Sequence, residues 1–280
     1  MKDIMAELQS HKKEAEQLEN GKYRPIYIAL QGSQNYSLDT ENSDVDTKVI
    51  TLPSLDQIIK NKKPTSFTHV RENNEHIDMK DVRLMFDCFK KQNINFIEIL
   101  FSDYYIIMNE NYIELIEELR SHAEEIAVLN PYRAIKCMKG MAFEKYNALC
   151  HPYPAKIDII NKYGYDGKQL HHLLRIKYFL DDYICMLGDY KGIKLLYKEI
   201  LQSELMSSGL RKELKLIKEN KVYQLDEAKD VAERTLQSIT EKADNACDKL
   251  KDENNKETEK LLDDVLYKIV KQSLADELNN

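Results

Sequence analysis

The strongest constraint on how this chain folds is a change of periodicity near Asn111. Before it, short apolar runs alternate with polar turns. The run Ile26–Leu30 is partly β-branched and stops at Gly32, as a buried strand does. Asp44–Leu52 reads as a second strand ended by Pro53, and Ser66–Arg71 and Glu75–Met79 read as further extended pieces. Helices are expected at Lys2–Leu18, Ser54–Lys60 and Asp81–Lys91, the last with Val82, Met85, Phe86 and Phe89 on one face. Beyond Asn111, helical segments follow one another with few turns: Tyr112–Ala127, Pro131–Leu149, Gly167–Leu187 and Lys191–Leu205. Only 8 glycines and 6 prolines interrupt the chain, which favours helix overall. From Leu210 the charged runs read as solvated helix faces, with a loop around Asp252–Lys260 between two last helices. The expected class is α+β, with a sheet flanked by helices in residues 1–120 and an all-α part in residues 121–280.

Composition excludes several classes of protein. A net charge of −7 argues against a protein that coats nucleic acid without selectivity, although it says nothing about a local basic cleft. The five cysteines are odd in number, and none forms a C-x-x-C pair, so reduced thiols and no zinc site are expected. The N-terminal stretch is charged throughout, and no later run is apolar and long enough to span a bilayer. A cytoplasmic protein without a membrane partner is the expectation.

One segment, Leu30–Ile50, carries the chemistry. A strand ending in Gly32-Ser33 can turn backbone N–H groups toward an anion, because glycine has no Cβ and serine adds a hydroxyl donor. Asp44 and Asp46 follow at alternate positions. In a strand such residues share a face, roughly 6.5–7 Å apart at Cα. Aspartate is depleted in strands, so a pair at a strand start is poorly explained by sheet stability. Two converging carboxylates suit a hard cation such as Mg²⁺, which also binds phosphate oxygens. Asp78, between Ile77 and Met79, is the candidate third carboxylate, with Glu75 and Asp81 as rivals and a helix cap as the other reading. Lys48 shares the strand face of the pair, either touching phosphate or balancing the carboxylates.

A second cluster lies on the segment Gly167–Leu180. Lys168, His171, His172 and Arg175 recur at helical spacing close to one face, opposite Leu170, Leu173, Leu174 and Ile176. Lysine and arginine there would offset triphosphate charge, and Asp166 is placed to cap the helix. Tyr36 is either a stacking platform or packing, and Glu98 reads as a local anchor.

The order strand, Gly32-Ser33, Ser43-Asp44-Val45-Asp46, then Ile77-Asp78-Met79 resembles the DNA polymerase-β-like nucleotidyltransferase superfamily. Within it the chain is similar to predicted bacterial and phage nucleotidyltransferases, some found beside RNA ligases. Asn93–Phe101, Gly164–Leu180 and Leu214–Ala228 resemble further segments of that group. The chain departs from this pattern: many relatives carry glycine where it has Ser37, and several other branches carry a basic residue where Gln34 and Asn35 follow Gly32-Ser33. The resemblance implies a mixed sheet and a helical domain that closes the nucleotide cleft. It further implies a Mg²⁺ or Mn²⁺ two-metal site on Asp44, Asp46 and Asp78, and an NTP bound by Gly32, Ser33, Lys168, His172 and Arg175. The implied reaction moves a nucleoside monophosphate to an acceptor hydroxyl with release of pyrophosphate. The acceptor is an RNA or DNA 3′ end or, as in adenylylating antitoxins of the superfamily, a protein side chain. A nucleotide-sensing or partner-binding module without turnover is the reading from another class.

Overall fold

A computed structural model describes residues 3–18, 23–188 and 196–279. Helix α1 (Ile4–Gln17) begins at Asp3, whose side chain accepts from the Ala6 N–H. Strand β1 (Arg24–Gln31) leads into a 3-10 turn (Ser33–Tyr36) and then β2 (Asp46–Leu52). A capping box of Ser54 and Gln57 starts α2 (Leu55–Ile59), followed by β3 (Ser66–Val70) and β4 (His76–Asp81). Helices α3 (Val82–Lys90) and α4 (Ile94–Ile97), strand β5 (Tyr105–Ile107) and helices α5 (Ile113–Ser121) and α6 (Ala123–Ala127) complete this stretch. The segment expected as one helix over Tyr112–Ala127 is thus two helices, parted at His122.

The five strands form one mixed sheet in the order β3-β4-β2-β1-β5. Only β2 and β4 run parallel among its neighbouring pairs. Alternation along the strands separates two faces. One face packs Ile28, Leu30, Val49, Ile77 and Met79 beneath Leu8 and Ala15 of α1, and this is where the apolar core of the sheet sits. The other face carries Asp46, Lys48, His76 and Asp78, with Gln31 level with Asp46 and Lys48 level with Asp78.

The remaining elements are helical: α7 (Pro131–Ala148), α8 (Ile157–Tyr163), α9 (Gly167–Gly188), α10 (Tyr197–Leu201), α11 (Ser208–Lys218), α12 (Leu225–Cys247) and α13 (Lys256–Leu278). Of the expected helix Lys191–Leu205, residues 191–195 lie outside the described residues.

The chain divides into two compact units. One comprises the described residues of Met1–Asn35, Glu41–Asn130 and Asn254–Asn280; the other comprises Tyr36–Thr40 and Pro131–Glu253. The last helix, α13, therefore belongs with the sheet. It packs on α3 and α5, and Tyr112 donates to Asp276 while Lys90 pairs with Asp263. The second unit is a helical bundle in which α9 packs against α7, α11 and α12. Small residues allow close approach there. A Cβ on Gly167 would lie 2.2 Å from the Ile217 carbonyl oxygen, so only glycine fits where α9 starts against α11.

Candidate active site

The Gly-Ser turn is built as the strand pattern predicts. Gly32 closes β1 at φ +101°, in the left-handed region, and open space lies where a Cβ would be. The Asn35 N–H donates to the Gly32 carbonyl, which tightens the turn. Gln34 and Asn35 act as pins. Gln34 Nε2 donates to the Asp44 carbonyl at 2.7 Å, tying the Gly-Ser turn to the aspartate pair. Asn35 donates to the Leu30 carbonyl and accepts from the Ser102 hydroxyl. Ser37 sits at φ 58°, a left-handed backbone that glycine adopts without strain.

β2 begins at Asp46, so Asp44 lies just ahead of the strand rather than within it. The Asp44 carboxylate is half-buried and has no hydrogen-bond partner among the described residues. Asp46 Oδ1 accepts from the His76 backbone N–H at 2.9 Å and from its imidazole Nδ1 at 3.0 Å, which fixes the carboxylate's orientation. Asp78 stands one strand away on the same face, where Lys48 Nζ donates to its Oδ2 at 2.8 Å. Lys48 is only 3% exposed and lies 4.1 Å from the Phe96 ring centroid. Of the two uses foreseen for Lys48, this geometry makes it the counter-ion of a carboxylate. The rivals of Asp78 are otherwise engaged. Asp81 caps α3 and binds Arg83 through both oxygens. Glu75 points to the opposite face, toward His11 and Arg71.

In the second unit, Asp166 caps α9 by accepting from the Lys168 N–H. Lys168 is partly exposed, but Arg175 is 6% exposed, with its guanidinium 3.5 Å from the Tyr36 ring centroid. Arg175 Nε and Nη2 have no hydrogen-bond partner among the described residues. Such buried orphan donors are rare and costly, and they suit an anion. Tyr36 is accordingly a platform for a cation, a pairing that helical spacing alone does not reveal. His171 departs from the expected polar face: it is fully buried and donates from Nδ1 to the Leu214 carbonyl. Burial lowers its pKa to about 4, and the positive charges of Lys218, Arg175 and Lys168 push the same way. Burial also holds the His172 pKa well below its ordinary value, helped by His171 and Lys168. Both imidazoles are neutral at pH 7 and add no positive charge.

His76, Phe96, His11 and Arg71 also belong to these contacts and carry no motif of their own in the sequence. His76 borders the Asp78 strand at the same alternation as Asp46, and that periodicity was the available signal. The others come from distant segments and left none.

A second group with metal-like spacing lies on the α1 side of the sheet. Ligand atoms of Glu7, His11 and Glu75 all fall within 4.8 Å of one another. Arg71 Nη1 already lies 3.0 Å from Glu75 and 3.9 Å from Glu7, so a fixed cation stands beside these carboxylates. No helix among the described residues is long and apolar enough to cross a membrane.

A comparison with curated proteins gave no match. A model of the RNA repair pathway DNA polymerase beta family matches residues 1–268, and the chain belongs to that family.

Proposed function

We propose, from membership of this family and from the sheet face just described, that the protein is a divalent-metal-dependent nucleotidyltransferase acting in RNA repair. One observation carries the reading. Asp46 and Asp78 stand on the same face of the parallel pair β2 and β4, beside the turn that begins at Gly32. The donor set fits a hard cation: oxygen ligands only, one carboxylate held in orientation by His76, and one without a partner among the described residues. Divalent cations held by Asp44, Asp46 and Asp78 would polarise the α-phosphate and favour the deprotonated acceptor hydroxyl.

The chain's own residues do the positioning. Gly32 leaves room for phosphate beside its N–H, and Ser33 offers a hydroxyl. Within the helical unit, Arg175 offers guanidinium donors without a partner among the described residues and Lys168 a second positive charge, a pair suited to phosphate. His172, neutral at pH 7, acts through hydrogen bonding rather than charge. In the reaction the acceptor oxygen bonds to the α-phosphorus while the bond from that phosphorus to the bridging oxygen breaks, and pyrophosphate leaves. The acceptor is the 3′ hydroxyl of an RNA or DNA end, in keeping with the family's place in RNA repair.

The test incubates purified protein with each labelled NTP, Mg²⁺ or Mn²⁺, and RNA, DNA or no acceptor, beside an Asp44→Ala/Asp46→Ala variant. Label on RNA or DNA that disappears in the variant supports the reading. Label on protein alone points to adenylylation instead. Tight nucleotide binding without any transfer points to a sensing module. Transfer that survives the double substitution overturns the metal assignment.

A further inference from the structure

The face of β2 turned away from the carboxylates is gripped by a buried polar set. Glu75, 1% exposed, accepts through Oε1 from the Val45 N–H at 3.3 Å. Its Oε2 accepts from Arg71 Nη1 at 3.0 Å and lies 3.1 Å from His11 Nε2. His11 is fully buried, and its Nδ1 lies 3.0 Å from the Thr47 hydroxyl oxygen. With Nε2–H donated to Glu75, Nδ1 accepts from the Thr47 hydroxyl, so the neutral ring satisfies both partners. Arg71 in turn donates to Glu14 and Ser10 of α1.

Val45 and Thr47 are the two residues that flank Asp46. The peptide N–H between Asp44 and Asp46 and the hydroxyl just after Asp46 therefore both end on one network. That network is built from α1 and from the turn between β3 and β4. Val45 lies just ahead of the β2 ladder, which begins at Asp46, so its N–H is taken by a side-chain acceptor rather than by a neighbouring strand. That carboxylate acceptor is itself locked by an arginine and a histidine.

We propose that Glu75, set by His11 and Arg71, is a positioning residue that fixes the spacing of the metal-binding aspartates from behind. The inference rests on the metal reading of Asp44 and Asp46. It also accounts for the metal-like spacing of Glu7, His11 and Glu75: Arg71 occupies the role a cation would otherwise take. Groups that orient metal ligands without touching the metal typically change its affinity by about 10–100-fold when removed.

The experiment measures Mn²⁺ binding directly, by calorimetry, to the full chain in the wild type and in Asp46→Asn, Glu75→Gln and Thr47→Val. Far-UV circular dichroism checks that each variant is folded. Tripolyphosphate binding without divalent ion is measured in parallel. Asp46→Asn is expected to abolish Mn²⁺ binding. Glu75→Gln should weaken it roughly tenfold, and Thr47→Val should weaken it less, with tripolyphosphate affinity unchanged in both. If Glu75→Gln does not fold, Thr47→Val alone decides, because it keeps the side-chain shape and removes only the hydroxyl. Wild-type Mn²⁺ affinity in the folded variants overturns the positioning role while leaving the metal site intact. Mn²⁺ that persists in Asp46→Asn and is lost in Glu75→Gln also overturns it, in favour of an ion at Glu7, His11 and Glu75. No binding that depends on Asp46 in the wild type overturns the metal reading, and the inference with it.

Discussion

Lys48 and Asp78 face each other across the parallel strands β2 and β4, with Nζ 2.8 Å from Oδ2 and 4.1 Å from the Phe96 ring centroid. The pair is neutral as a unit, so the sheet tolerates a proposed metal ligand without metal. Removing only the lysine leaves a carboxylate that is mostly shielded from water. Lys48→Met is expected to destabilise the metal-free protein by about 1–2 kcal/mol, discounted for the partial exposure of Asp78. The loss should shrink when Mn²⁺ is added, because the cation supplies the missing positive charge. Urea unfolding with and without Mn²⁺ checks both statements, and an equal loss in the two conditions would count against Asp78 as a ligand.

Arg175 predicts a trade between stability and binding. A buried guanidinium with unmatched donors costs folding free energy that its contact with Tyr36 offsets only in part. Arg175→Met should raise the stability of the free protein by about 1 kcal/mol and weaken triphosphate binding by roughly tenfold or more. Thermal melts with and without tripolyphosphate measure both effects. A variant that is less stable yet binds equally well would make Arg175 a packing residue.

Ser37 offers a test of backbone strain. Its φ of 58° disfavours any residue with a Cβ, and glycine removes the clash while making the unfolded chain more flexible. The balance for Ser37→Gly is a gain of about 0.5–1 kcal/mol. Ser37→Val, β-branched, should lose more than that. Chemical denaturation of the two variants gives opposite signs if the left-handed backbone persists in solution.

His171 predicts a pH dependence. Its pKa is lowered from 6.5 to about 4 in the folded protein, so the unfolded chain binds the proton more readily. The stabilisation is therefore fully present above pH 6.5 and is lost progressively as pH falls toward 4. Its full size is on the order of 3 kcal/mol. Denaturation at pH 8, 6 and 5 reads the slope. His171→Asn keeps a donor for the Leu214 carbonyl, cannot titrate, and should flatten it.

The strands and helices nearest the site were legible because each depends on local pattern. The apolar run before Gly32, the alternation at Asp46 and Lys48, and the acidic residue between Ile77 and Met79 all follow from a period of two. Glu75 and Asp81 lie an odd number of residues from Asp78, so alternation sets them on the other face, and the fold gives them Arg71 and Arg83 as partners. Helix α9 was legible as a helix but not in its burial. Its polar residues at helical spacing read as one face, yet neighbours on more than one side bury His171 and Arg175.

Residue order by itself determined the element types, the Gly32 turn and the residues able to hold a cation, since backbone sterics and side-chain chemistry act over a few positions. Tertiary structure alone decided that α13 returns to the sheet, that Lys48 belongs to Asp78, that Tyr36 carries Arg175, and that His11 and Arg71 stand behind Asp46. Those pairings join segments far apart in the chain. They form only where burial makes an unmatched charge or donor too costly to leave alone.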